Sequence, residues 1–249
     1  MWQAFNIPFT QGLEAFLVVA VALAWLRRTG RLALITAVRA GIAVSILAIP
    51  AAAQLFSETD RQALWQGGLG VAAAVGVALL IVCVARHSRR RNEYFPERAD
   101  EGAVAAGGPA SIVGIFLFVL LVMTRQGMEI ALLLSTLLFQ MYSDAAVIGS
   151  AAGGVALSAA VAWLWVRFSP RVDRTRFLLA TLAFLAILLI QLSISGIYRL
   201  TEASVLPYSE LVNWATEPFG PEGTYGPTLT YALIVVLGGC LLLRRRTPG

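Results

Sequence analysis

Two copies of one four-residue pattern constrain this chain more than anything else in it. They are Gln11-Gly12-Leu13-Glu14 and Gln126-Gly127-Met128-Glu129, each inside a long apolar segment. Glu14 falls in the stretch over residues 5–26 and Glu129 in that over 111–139, with Arg125 one helical turn before it. The chain is 58% hydrophobic and 13% charged, against about 25% charged in a soluble domain, so such segments read as membrane spans. A charge at the centre of a membrane helix costs roughly 2.5–3.5 kcal/mol on insertion scales, and three cost on the order of 7–10 kcal/mol unless they compensate one another. Groups retained against that cost commonly mark a substrate or ion pathway.

Seven stretches approach the roughly 20 apolar residues needed to cross a hydrocarbon core: 5–26, 32–53, 67–85, 111–139, 145–166, 177–198 and 228–243. The first has no basic region of the kind that precedes a cleaved signal, so it reads as a retained span. Every basic residue other than the single His87 is Arg. Sixteen Arg against five acids fall in the first, third and fifth connections and the C-terminal tail, a balance of +11. The remaining connections hold seven acids against Arg61 and Arg199, a balance of −5. By the positive-inside rule the N-terminus is external and the C-terminus cytoplasmic, which an odd number of spans requires. Arg clusters of this kind serve topology and point to no nucleic-acid partner. Cys83 and Cys240 lie in apolar runs beside Arg clusters, on the reducing side, so neither a disulfide nor a thiol metal site is expected.

The chain also repeats itself. Gly41-Ile42-Ala43-Val44-Ser45 follows the first motif much as Gly154-Val155-Ala156-Leu157-Ser158 follows the second. The expected architecture is therefore an all-α polytopic membrane protein of seven transmembrane helices, a 3+3 inverted repeat with a seventh helix added. Its parts are a first repeat over 1–85, a cytoplasmic linker over 86–110, a second repeat over 111–199, an external loop over 200–227, and the seventh helix with its basic tail over 228–249. Inverted repeats carry their sites near the midplane, where a pseudo-two-fold axis brings the two motifs together.

Gln and Glu at i and i+3 share a helix face, so each motif offers an amide oxygen and a carboxylate in one direction. Gly12 and Gly127 permit close approach of the two helices. Two such faces form an oxygen-rich cluster suited to a hard or borderline cation. The plainer alternatives are a polar packing patch for the motif and a neutralising ion pair for Arg125 and Glu129. Because Arg precedes Glu, the weaker order at i,i+4, Glu129 is expected to be only partly engaged. Met123, Met128 and Met141 read as packing, and His87 as a loop residue. Ser193 and Ser195 have no His or Lys partner, which leaves an intramembrane serine protease unsupported.

At these residues the chain resembles the oxidase-coupled high-affinity iron permease family, including its bacterial EfeU-like members. Those proteins carry Arg-Glu-Gly-x-Glu in the first and fourth of seven spans. Gly196, Leu200, Glu202, Ala203, Leu206 and Pro207 also resemble the family's Gly-x-x-x-Leu-x-Glu-Ala-x-x-Leu-Pro segment. Here Thr10 and Gln11 stand in place of the first motif's Arg and leading Glu, and Gln126 in place of the second leading Glu. Two carboxylates remain where the family has four, which suits ferrous better than ferric iron.

The resemblance implies a multi-pass iron permease of the bacterial inner membrane and no enzyme. Glu14, Glu129, Gln11 and Gln126 would meet the ion, Arg125 would offset charge, and Glu202 and Asp144 would form a periplasmic entry. It implies iron as a transported substrate with no permanently bound cofactor. Partners would be a periplasmic iron-binding protein and an oxidase, peroxidase or other redox subunit. Two other readings stay open: a permease for another divalent cation, and a non-transporting anchor for a periplasmic iron-binding or redox protein.

Overall fold

The computed structural model describes residues 2–57, 62–92, 109–140 and 144–205, with Thr228, Thr230, Tyr231, Ala232, Val235, Gly238 and Gly239. The elements are α1 (Trp2–Thr29), α2 (Leu32–Ser57), α3 (Gln62–Asn92), α4 (Pro109–Gln140), α5 (Asp144–Phe168) and α6 (Arg174–Glu202), with a 3-10 turn (Ser169–Arg171) before α6. The described residues contain no strand. All six helices are long and apolar enough to cross a membrane. At about 1.5 Å per residue even α5 reaches ~38 Å, beyond the ~30 Å hydrocarbon core. The expected seventh span lies mostly outside the described residues, as do most of the two long connections.

Two helix ends differ from the sequence expectation. α3 continues through Asn92, well into the segment read as a linker, and α6 continues through Glu202. Neither extension contains Gly or Pro. A change from apolar to charged residues marks where lipid ends, and nothing there breaks the helix. The α1–α2 connection does have a breaker: Gly30 at φ +74°, a left-handed conformation that glycine adopts without steric cost.

The helices do not pack in chain order. α1 packs most extensively on α5, α2 on α4, and α3 on α6. Phe5 and Phe9 face Gly154 while Gly12 faces Ser158, so numbers rise together and α1 and α5 run parallel. Gly41 faces Phe116 and Val119 while Gly127 faces Ile49, so α2 and α4 are parallel as well. Gly67 against Leu200 and Gly70 against Gly196 make α3 and α6 antiparallel.

One helix is central. Of the apolar window of α1, 83% is buried inside the protein, against 28–39% for the other five spans. Leu13, Leu17 and Val18 of α1 join Val77, Val122, Trp165, Phe177 and Phe184 in the main core cluster. At one end Arg28 fastens α1 to the turn before α6. Its guanidinium donates to the carbonyl oxygen of Ser169 and, at 2.8 Å, to that of Val172, and lies 4.1 Å from the centroid of the Phe177 ring.

Candidate functional site

The central helix carries the acid. Glu14 is 6% exposed, and its two oxygens accept from three elements. Oε2 accepts from Nε2 of Gln126 on α4 at 2.7 Å. Oε1 accepts from Nε2 of Gln191 on α6 at 2.5 Å and from the Thr230 hydroxyl at 2.9 Å. Gln191 also donates to Thr230 Oγ1 at 3.3 Å. The two motifs thus meet, through the amide of the second and the carboxylate of the first.

The orientation of the amides differs from the expectation. Gln126 and Gln191 present nitrogen to the acid, because a carboxylate accepts and cannot donate. Their Oε1 atoms, and that of Gln11 one turn before Glu14, are buried without a hydrogen-bond partner among the described residues. A buried polar group left unpaired costs on the order of 1–3 kcal/mol, so unpaired carbonyl oxygens around one acid call for a physical reason. A cavity of about 10 Å³, room for one water-sized body, is lined by Glu14, Arg125 and Gln126 and by apolar side chains including Val18, Val122 and Leu188.

Glu129 has a different environment. Arg125 Nη2 lies 3.1 Å from its Oε1, with the two side chains 4% and 10% exposed, and also donates to Ser195 Oγ at 3.2 Å. The pair is made, through one guanidinium nitrogen and one carboxylate oxygen of Glu129. On an exposed helix a pair of this kind is worth only ~0.2–0.5 kcal/mol. In a buried setting the attraction between the charges is far larger. Gly70 serves the α3–α6 contact: a Cβ there would lie 3.2 Å from the Gly196 Cα, and only at ordinary contact distance, 3.7 Å, from Arg125 Nε.

The glycine expectation is also corrected in its partners. Gly12 and Gly127 do serve close approach, but each motif helix is seated on the second helix of the other half. A Cβ on Gly12 would lie 2.5 Å from Ser158 Oγ on α5, and one on Gly127 would run into the Ile49 side chain on α2. Ser45 and Ser158, the matched serines, are both fully buried and donate at 2.7 Å to the carbonyls of Ile42 and Val155. Gly12 faces Ser158 itself, whereas Gly127 faces Ile49, one turn beyond Ser45. That offset accompanies the different neighbours of the two acids.

Glu202 stands apart at the end of α6, exposed and paired with Arg199 at 3.1 Å. It lies eleven residues past Gln191, about 16 Å along the helix. Asp144 opens α5. Its side chain lies outside the described residues. Gln191 and Thr230 were not anticipated; the available signal was one amide inside the otherwise apolar run of α6. Among the described residues no three of His, Cys, Asp and Glu stand together.

Membrane-length helices around a buried acid–amide centre define the class: a polytopic helical membrane protein. The chain matches the Iron permease FTR1 family over residues 1–242 and belongs to it, a family of transporters rather than enzymes. It is 26% identical over 220 residues to a protein described as "Iron permease EfeU" of Bacillus subtilis (strain 168). That match covers 86% of this chain and 45% of the relative, so the chain spans less than half of that protein's length. No solved structure matches it.

Proposed function

We propose that this chain is an inner-membrane iron permease that passes the ion through the Glu14 centre. The observation that carries the reading is the bond from Gln126 to Glu14, which joins the two motifs at a buried point on the most enclosed helix. In this reading iron is the transported substrate. Glu14 supplies the negative charge, and Gln11 and Gln126 supply neutral oxygens once an ion has displaced their present arrangement. Glu129 is a second acid held in reserve by Arg125, whose charge keeps the pathway from becoming a sink for cations. One carboxylate free of an ion pair, among neutral oxygens, suits ferrous iron better than ferric.

The exchange of partners between the halves, α1 with α5 and α2 with α4, supports a 3+3 inverted repeat, and the Arg asymmetry of the connections argues for an external N-terminus. In that orientation Asp144 and Glu202 stand on the external side as an entry. A periplasmic iron-binding protein and an oxidase, peroxidase or other redox subunit would deliver the ion.

The test is uptake of radiolabelled ferrous and ferric iron into liposomes holding the purified chain. Ferrous uptake that vanishes in Glu14→Gln, and in Glu129→Gln compared at equal amounts of folded protein, is the expected result. Uptake equal to that of empty liposomes, with and without a periplasmic partner, would overturn the reading in favour of an anchor subunit.

A further inference from the structure

The residue that neither motif contains is Gln191. We propose that Gln191, together with Thr230, belongs to the cation site itself and determines which cation it accepts. In the ion-free state the Gln191 amide holds Glu14 through its nitrogen; with a divalent cation present it turns over and offers its oxygen instead. This rests on the reading of Glu14 as the transport site.

Two observations and a general property of the glutamine side chain lead there. Gln191 Nε2 is 2.5 Å from Glu14 Oε1, the same oxygen that accepts from Thr230 at 2.9 Å, so an ion held by that oxygen lies within reach of the amide, while the small cavity beside Glu14 is lined by Gln126 and not by Gln191. Its Oε1 is buried with no partner among the described residues, as is that of Gln126 on the other side of the carboxylate. A residue needed only to donate to Glu14 would be served by a hydroxyl, without leaving a carbonyl oxygen stranded in the interior. The terminal torsion of glutamine is broad and roughly two-fold, so a half-turn exchanges nitrogen for oxygen in nearly the same volume.

The set then available is one carboxylate, amide oxygens from α4 and α6, and the Thr230 hydroxyl. It contains oxygen only and carries one negative charge. Oxygen donors favour hard and borderline divalent cations over soft monovalent copper, which takes thiolate or thioether. The neutral amide at position 191 keeps the charge low, so a trivalent ion is under-compensated. Gln191 therefore sets the charge preference of the site, and Glu14 its existence.

The deciding variant is Gln191→Glu, similar in shape to the natural residue. Ferrous iron, under anaerobic conditions, and terbium(III), as a trivalent probe, are titrated onto the purified chain in lipid nanodiscs. A ligand at position 191 predicts that Gln191→Glu tightens terbium relative to ferrous iron by about tenfold or more; Gln191→Leu weakens ferrous binding by about tenfold or more in either role and serves only to overturn both. A residue that merely props Glu14 predicts the opposite for Gln191→Glu, since a second carboxylate would repel the first. Weaker binding of both ions in that variant overturns the proposal, as does ferrous binding by a folded Gln191→Leu within about twofold of the natural chain. Should Gln191→Leu not fold, the Gln191→Glu titration decides alone. Glu14→Gln, run alongside, separates the failures: it abolishes ferrous binding if the Glu14 reading holds, and unchanged binding there overturns both.

Discussion

The amide of Gln126 and the carboxylate of Glu14, 112 residues apart in sequence, meet at 2.7 Å. Because Gln191 and Thr230 hold the other oxygen, the acid is fixed by α1, α4, α6 and the last apolar stretch at once. A carboxylate held by neutral donors alone can exchange them for a cation without breaking an ion pair.

Glu14 separates transport from stability. Glu14→Gln keeps one acceptor oxygen for Gln191 and Thr230, and its new amide N–H can donate to Gln126 once that side chain turns its unpaired Oε1 inward, so the variant is expected to fold while losing iron uptake. Glu14→Leu retains no acceptor. Each stranded buried donor costs about 1–3 kcal/mol, so this variant is expected to melt at a clearly lower temperature in detergent. Equal melting of the two variants would mean that the donors find other partners.

The glycine seats differ in what blocks them. In Gly12→Ala the new methyl meets Ser158 Oγ, a side-chain atom, and overpacking costs about 1–3 kcal/mol. Adding Ser158→Ala removes that oxygen and is expected to restore most of the loss. In Gly154→Ala the obstructions are backbone, Phe5 O at 2.5 Å and Phe9 N at 3.0 Å. No side-chain change relieves them, so thermal melting is expected to fall further and without rescue.

Arg125 and Glu129 should behave as a unit. Removing one member of a buried pair strands the other charge, at about 3–5 kcal/mol, whereas replacing both with neutral residues of similar size is often tolerated. Arg125→Met and Glu129→Gln alone are each expected to lower yield and melting temperature. The double variant is expected to recover much of both. A double-mutant cycle with no coupling would show that the 3.1 Å contact carries little energy.

Arg28 tests the clamp on the α5–α6 turn. Arg28→Lys keeps the charge but loses the planar fork that reaches two carbonyls and stacks on Phe177. A loss of about 1–2 kcal/mol is expected, read by melting in detergent, with iron binding at Glu14 unchanged.

The sequence and the structure agree where chemistry is periodic and local. Six spans were legible because about 20 apolar residues have few other uses, and the meeting of the motifs followed from finding Gln-Gly-x-Glu twice. The central place of α1 was not legible. Its mean hydropathy of 1.8 equals that of the span in α4, yet 83% of one window is buried and 33% of the other. Lipid tails are as apolar as leucine, so hydropathy does not distinguish a helix facing lipid from one facing protein. Gln191 was missed for a related reason. A lone amide in an apolar run has no motif to announce it, and its partner Glu14 lies 177 residues away. The glycine partners were misassigned because two like motifs suggest contact with each other, and the one-turn offset between the helix pairs leaves no trace in composition.

The exchange of partners between the halves also bears on how the chain is made. α1, α2 and α3 pack far more on helices of the later half than on one another. When the first three spans enter the bilayer during synthesis, Glu14 has neither Gln126 nor Gln191 to meet. The early half must wait with its most polar helix surface unmatched, and α1 reaches its enclosed position only after α4 to α6 arrive. Assembly is therefore expected to complete late and all together, leaving an interrupted chain as a substrate for quality control rather than a half-built transporter.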